Sequence, residues 1–404
     1  MSLTLLIDLD DTLLDNDIDT FLPKYLQAFS EEVSSFIAPE KFIELLLSGT
    51  RSMIANQRPD CTLQEVFEDN FIPMSGWDPG IFRKVSDDFY TDVFPTLREL
   101  TRPRPEAVKL VEEVMARGYR VVIATNPLFP SFAIKQRLAW ADLPTERYRF
   151  ELITSYETFH FVKPKPAYYA EIMARIGWPS GPVVMIGDDL QRDILASRQM
   201  GIPCFWISNN GFESYDEVDP PSVSGSIEDV LLWIDQSPEE ELLPDYSAIS
   251  AVLSTLKSTP AALDSMCRDL PVEIGGQRPE DDRWSITEIF CHLCDVDREV
   301  NLPRIQMILK EKNPFISGVD TDPWAEERNY VSENSSQALQ KFIQTRIDLI
   351  DLLETMRQED WHRDFRHAIF GPTKLLELVS IIASHDRLHI RQVREVLEDF
   401  SIHL

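Results

Sequence analysis

Residues Leu3 to Asp17 read LTLLIDLDDTLLDND, and the fold of the first half of the chain turns on them. Leu3 to Ile7 are apolar or β-favouring and run straight into Asp8, Asp10 and Thr12, the pattern of a buried strand that ends where two carboxylates begin. Acids just past a buried strand are costly. In an open α/β sheet that position borders the ligand crevice, and two carboxylates two residues apart there suit a hard cation such as Mg²⁺. A lone DxD is better explained by a polar turn that merely ends the strand, and it is the rest of the chain that overturns this.

Working outward, the sequence after Asp17 turns helical to about Leu100, with amphipathic runs such as Phe21 to Phe36 and Glu40 to Leu47 broken near Pro59, Pro73, Gly76 and Pro79. This block separates the first strand from the next α/β unit, so it reads as an insert, placed to act as a lid or serving only as a helical subdomain. Pro105 opens a helix, Glu106 to Arg117, that stops at Gly118. Tyr119 to Ala124 is a buried strand leading into Thr125 and Asn126. Phe150 to Thr154 reads as another strand, followed by FVKPKPAYY with Lys163 and Lys165. Gly181 to Ile186 is a further apolar strand that ends in Gly187, Asp188, Asp189 and, one helical turn on, Asp193. Strand Pro203 to Ser208 and helix Ile227 to Ile234 close the unit. Four strand ends thus present two acids, a hydroxyl with an amide, a lysine, and an acid cluster. Acids alone at one rim would repel each other; Mg²⁺ and the lysine compensate, and both suit a phosphate dianion.

With all four motifs in place, residues 1–236 resemble the haloacid dehalogenase superfamily with a helical cap after the first strand. Asp8 and Asp10 match its DxDxT motif, Thr125 its hydroxyl motif, Lys163 before Pro164 its lysine motif, and Asp188 with Asp193 its GDxxxxD motif. The resemblance implies phosphoryl transfer through an aspartyl-phosphate. Asp8 would attack phosphorus, while Asp10 would protonate the leaving oxygen and then activate water. Thr125 and Lys163 would hold the phosphoryl oxygens, with Thr12 and Asn126 as substrate-binding neighbours. Asp8, the Asp10 carbonyl and Asp188 would bind Mg²⁺, supported by Asp193. A departing halide needs no proton whereas an alkoxide does, so Asp10 favours phosphate esters over haloacids. Lys165 and Asp189 are read as solvated or supporting groups.

Ser237 to Asp245, SPEEELLPD, is acidic and proline-bounded, a linker. Beyond it no strand is expected, and helices are predicted over Tyr246 to Lys257, Ser285 to about Lys310, Ser336 to Gln358 and Thr373 to about Phe400, the makings of a four-helix bundle. Ser285 and Glu288 form a capping box. His292 lies on the stripe Ile289, Leu293, Val296, and His385 and His389, one turn apart, on the stripe Leu378, Ile382, Val393. Two imidazoles at i and i+4 with a third from a facing helix would make a three-nitrogen site for Zn²⁺, Ni²⁺ or Fe²⁺, whose occupancy should fall below the histidine range at about 6.5; the alternative is three core histidines satisfied by hydrogen bonds. The segments WSITEIFCHL (Trp284 to Leu293) and SHDRLHIRQV (Ser384 to Val393) resemble the DinB-like superfamily of metal-binding four-helix bundles, which includes thiol-dependent transferases. The triad His292, His385 and His389 carries over. His385 to His389 also echoes the HExxH of zinc proteases, but Asp386 stands where the general-base Glu belongs. Cys291 and Cys294 read as small core residues, and His160, His362, His367 and His403 as incidental.

The expected architecture is an α/β Rossmann-like parallel sheet with an inserted helical cap, then an all-α bundle: core 1–14 and 101–236, cap 15–100, linker 237–245, bundle 246–404. With 404 residues, two domains are the expectation. A net charge of −29 argues against nucleic acid and anionic membrane as partners. No signal peptide or apolar span is read, and five scattered cysteines fit a reduced compartment, so a cytoplasmic, bacterial protein is expected. The expected ligand is a small phosphorylated metabolite. A low-molecular-weight thiol would be the co-substrate of a transferase carried by the second half with the first as scaffold or sensor, the alternative activity. A module with no chemistry in either half is a third class, and the bundle offers a face through which two copies could pair.

Overall fold

The structure, a computed structural model, describes residues 2–208 and 223–402. The chain divides into two compact units, Met1–Ile172 with Pro179–Asp245, and Met173–Trp178 with Tyr246–Leu404.

In the first unit six parallel strands form one sheet in the order Leu152–Ile153, Arg120–Ile123, Thr4–Ile7, Val183–Gly187, Cys204–Ile207, Val223–Gly225. Thr4–Ile7 is buried at every residue, as a central strand covered on both faces must be. Its register pairs Ile7 with Ile123 on one side and with Ile186 on the other. The three strands therefore end level, and the residues that follow them, Asp8, Thr125 and Asp188, emerge at one rim. The last strand, Val223–Gly225, was not expected, because Val-Ser-Gly carries too little apolar character to signal one.

The insert consists of helices Ile18–Glu32, Pro39–Ala55, Leu63–Ser75 and Pro79–Asp88, followed by a wide turn and a 3₁₀ segment to Leu100. Each start has a local cause: Asp17 and Asp78 cap by side-chain acceptance, Thr62 and Glu65 form a capping box, and Pro39 and Pro79 occupy first turns. Pro73 does not break its helix; the stop falls at Gly76, whose φ of +69° a glycine adopts without a Cβ penalty. Aromatic rings fill the interior, with Phe29 stacked on Phe89 at 4.0 Å and Tyr25 edge-on to Phe94 at 6.2 Å. Where the insert leaves and rejoins the sheet, Leu14–Asp15 pairs antiparallel with Arg102–Pro103, so both connections are tied together.

The second unit is built on Ile249–Cys267, Ile286–Val296 continued through the wide turn Asp297–Asn301 into Leu302–Lys310, Ser335–Glu354, and Leu375–Asp399. Leu256, Ile305, Leu349, Phe365, Leu378 and Ile382 share one core. The expectation of no strand is corrected: Phe315–Ile316, Asp364–His367 and Gly371–Lys374 form a small sheet. These strands are too short for alternation to show in sequence. Pro260 sits inside the first helix and cannot donate to Leu256 O, four residues back. Arg346 Nη1 donates to that carbonyl instead, at 3.3 Å. Among the described residues no helix is long and apolar enough to cross a membrane.

Candidate functional site

At the rim of the first unit's sheet, ligand oxygens of Asp8, Asp188 and Asp193 lie within 4.8 Å of one another. Lys163 reaches into this cluster, its ammonium 2.7 Å from Asp8 Oδ1 and 2.5 Å from Asp193 Oδ1. Burial pushes the Asp8 carboxyl well above the usual range; Lys163 opposes this, and Asp193, Asp188 and Asp10 add to it. Burial would lower the Lys163 ammonium, but Asp193 and Asp8 hold it well above its ordinary value. Asp188 is pushed up to about 7, by burial first and then by Asp193 and Asp11. A second cation among these oxygens would relieve the repulsion, and three carboxylates form a hard donor set that fits Mg²⁺.

The approach of Asp193 explains Gly187. A Cβ at Gly187 would stand 2.3 Å from Asp193 Oδ2, so only glycine lets the following turn fold back over the strand end. Asp193 also accepts from Asp189 N at 3.1 Å, while Asp189 itself caps Gln191 N and Arg192 N, each at 2.8 Å. Thr125 is 2% exposed, and its carbonyl accepts from Thr154 Oγ1 at 2.6 Å and from Tyr168 Oη at 2.7 Å, which pins the turn after its strand. Asn126 Oδ1 is buried with no partner among the described residues.

Two expected residues are held by partners within the protein. Thr12 is fully buried and its hydroxyl donates to Asp188 Oδ1 at 3.3 Å, so it supports a carboxylate rather than meeting a ligand. The Asp10 carboxylate lies outside the three-acid cluster: Asn16 Nδ2 donates to its Oδ1 at 2.7 Å and the buried Arg137 pairs with its Oδ2. Neither Asn16 nor Arg137 was singled out in the sequence. The signal for Arg137 was there, since it occupies an inward position on the helix Ser131–Trp140 among Ala133, Ile134 and Leu138. Lys165 donates to Asn56 O at 2.6 Å and to Ile54 O, the end of the insert's second helix. His160, read as incidental, is fully buried and bonded to Glu171 at 2.8 Å.

In the second unit His385 Nε2 lies 3.2 Å from His292 Nε2 and 3.0 Å from His389 Nε2, so three imidazole nitrogens converge on one point. His389 Nδ1 lies 2.7 Å from Gln392 Oε1, and the tautomer that donates there keeps the Nε2 lone pair for a ligand. Burial lowers His292 to about 3, with help from His389 and His385. His385 and His389 come down to about 4, again mainly by burial. Neutral, converging imidazoles fit a divalent transition metal. Trp284 lies against His292 at 4.9 Å and parallel to His389 at 6.1 Å.

Beneath the histidines Arg346 bridges two buried acids. Its Nε meets Asp297 Oδ2 at 2.6 Å, its Nη2 donates to Asp386 Oδ1 at 2.9 Å, and its Nη1 pairs with Asp386 Oδ2. Asp386 is the neighbour of His385, so this bridge fixes the roll of the last helix and turns His385 and His389 toward His292. Cys294 is buried and Cys291 half-buried, and neither belongs to the histidine cluster. His367 is buried in a strand and stacked on Phe370 at 4.6 Å, His362 is exposed, and His403 lies outside the described residues.

Comparison with known proteins gives two separate matches along the chain. Residues 3–201 match the family of haloacid dehalogenase-like hydrolases, and residues 255–393 match the DinB superfamily. A curated protein of Bacillus cereus (strain AH820), whose name proposes a metal-dependent hydrolase, is 26% identical over 132 residues, covering 32% of this chain and 70% of that protein. Among solved structures, a 2-haloacid dehalogenase from Pseudomonas syringae pv. Tomato DC3000 is 21% identical, covers 58% of this chain and 99% of its own, and has a TM-score of 0.41. YfiT from Bacillus subtilis, a four-helix bundle, is 19% identical, covers 42% and 93%, and has a TM-score of 0.35. Residues 3–201 belong to the haloacid dehalogenase-like hydrolases and residues 255–393 to the DinB superfamily, so this chain joins a hydrolase domain to a DinB domain.

Proposed function

We propose that the first unit is a Mg²⁺-dependent phosphatase that hydrolyses a small phosphorylated metabolite through a phosphoryl group carried on Asp8. The observation that carries this reading is the buried contact of Lys163 with both Asp8 and Asp193 at the rim where Asp188 also emerges. A cation there can hold phosphoryl oxygens against a carboxylate nucleophile. Asp8, Asp188 and the Asp10 carbonyl would hold Mg²⁺, with Asp193 supporting. Bound Mg²⁺ supplies charge neutralisation between nucleophile and phosphoryl group.

The chain's own residues do the rest. Lys163, Thr125 and Asn126 orient the phosphoryl oxygens. Asp8 oxygen bonds to phosphorus as the ester P–O bond breaks, and the leaving oxygen takes the proton of Asp10. Asp10, now ionised, accepts a proton from the water that attacks phosphorus, which frees phosphate and restores Asp8. Hydrolysis of an aryl phosphate by the full chain, with Mg²⁺ and after chelation, tests the reading. Metal-dependent turnover supports it, and no turnover with Mg²⁺ contradicts it.

For the second unit, the convergence of His292, His385 and His389 supports a site for Zn²⁺, Ni²⁺ or Fe²⁺. A metal there supplies a Lewis-acid centre with open positions. The name of the Bacillus cereus relative suggests hydrolysis as its chemistry. Thiol conjugation remains the alternative, and assays of the full chain with each class of substrate separate the two.

A further inference from the structure

Arg137 is the cation of the first site that the proposed reaction leaves unused. It is 1% exposed, one of its amino groups pairs with Asp10, and its guanidinium lies 4.7 Å from the Phe129 ring centroid. Its Nε and Nη2 have no partner among the described residues, although both are buried. These two form the edge of a guanidinium that takes a carboxylate side-on, with two parallel hydrogen bonds. The chain uses that edge elsewhere. Nε and Nη2 of Arg58 hold Asp60 at 3.0 and 2.9 Å, and those of Arg83 hold Glu68 at 3.2 and 2.7 Å.

The other cations of the rim are committed. Lys163 holds Asp8 and Asp193, and Arg104 lies 3.9 Å from Asp11. A buried guanidinium with an unpaired edge costs free energy, and a site retains it when something binds there. Its neighbours are suited to an anion. Tyr25 and Tyr90 share one hydrogen bond of 2.9 Å between their hydroxyls, which leaves one hydroxyl proton without an acceptor among the described residues. Both tyrosines lie within electrostatic reach of Arg137. Gln136, next in the chain, donates to Tyr90 O at 2.7 Å.

We propose that the Nε–Nη2 edge of Arg137 binds a carboxylate on the leaving-group side of the substrate, so that the substrates are phosphate esters of hydroxy acids. This rests on the phosphatase reading, in which Asp10 protonates the leaving oxygen. Because Arg137 is bonded to Asp10, a group on its free edge lies within one or two carbons of that oxygen, which points to α- or β-hydroxy acids. Asp8 and Arg137 are both buried, so the ester enters when the helical insert swings away from the strand ends.

The test compares O-phospholactate with isopropyl phosphate, in which a methyl replaces the carboxylate, using the full chain with Mg²⁺. Wild type is expected to prefer O-phospholactate in kcat/KM by about tenfold or more, the worth of a charge-assisted pair of hydrogen bonds. Arg137→Lys keeps a cation for Asp10 but lacks the edge, and Arg137→Met lacks both. In each the ratio of the two esters should fall to within about twofold of one, whatever happens to the absolute rate. Titration of the Asp8→Asn protein with each ester reads the same preference without turnover, and adding Arg137→Lys should abolish it. Equal rates on both esters, or a preference that survives both Arg137 variants, overturns the subsite and leaves the phosphatase reading standing. No turnover with the binding preference intact does the reverse, and neither turnover nor preference removes both.

Discussion

At the scale of single residues, the account rests on burial turning ordinary side chains into poised ones. Asp8→Asn is nearly isosteric, so it should leave the fold intact and lower phosphatase turnover to less than a few per cent of wild type; a purified variant that keeps more rules out the covalent route. Asp10→Asn should act selectively. An alkyl phosphate needs its leaving oxygen protonated and should lose about 100-fold or more, whereas an aryl phosphate with an acidic phenol should lose far less in the first step. Equal losses on both in single-turnover measurements would deny Asp10 the acid role. In the metal-free protein the histidine triad makes stability depend on pH. Unfolded histidines take protons near about 6.5, while folded His385 and His389 do so near about 4 and His292 near about 3. The unfolded state therefore binds more protons between those values, and stability is full above about 6.5 and lost as pH falls through the window. The melting temperature of the second unit in chelator should drop between about pH 6.5 and 5, and a flat profile contradicts it. The same depressed values move the loss of bound metal below the unperturbed histidine range expected from the sequence. Asp8, Lys163, Asp188 and the three histidines were legible because motif spacing exposes them. Arg137 shows in the sequence only as a cation on an inward helix face, and its pairing with Asp10 does not show, because the two lie far apart in the chain; Asn16 meets Asp10 across a turn that motif spacing does not mark.

At the scale of elements, apolar runs revealed the long helices and the buried strands, since burial on one face or two imposes a period on the sequence. What failed to show was short: Val223–Gly225 and the three small strands of the second unit are fixed by neighbours rather than by their own pattern. Helix ends moved for local reasons. The helix expected over Tyr246 to Lys257 runs over Ile249–Cys267 because Arg346 satisfies the carbonyl that Pro260 cannot. Arg346 itself sits on the inward stripe of its helix with Phe342, Ile343 and Leu349, where a charge stands out once it is looked for. Removing it leaves Asp297 and Asp386 buried without their cation and Leu256 O unpaired. Arg346→Met should destabilise the second unit by about 3–5 kcal/mol in denaturant unfolding, and it should loosen the histidine cluster as the last helix loses its anchor. A loss under about 1 kcal/mol would show that the bridge is dispensable.

At the scale of the whole molecule, the sequence divides where composition changes, at the acidic, proline-bounded stretch before Tyr246, and a change of chemistry accompanies the change of fold. The first site offers carboxylate oxygens with a lysine; the second offers three neutral imidazoles over a buried ion bridge. Hard Mg²⁺ suits the former and a borderline transition metal the latter. The sequence exposed both donor sets but could not show that Gly187 makes room for Asp193, or that Asp386 sets the roll of the histidine helix, because both depend on packing between segments. Metal analysis of the purified full chain, paired with Mg²⁺-dependent hydrolysis of an aryl phosphate, for wild type, His385→Ala and Asp188→Ala, tests the two-site account most directly. The account predicts that His385→Ala loses the transition metal and keeps hydrolysis, while Asp188→Ala keeps the transition metal and loses hydrolysis. Transition-metal content unchanged in His385→Ala, or hydrolysis unchanged in Asp188→Ala, would contradict it.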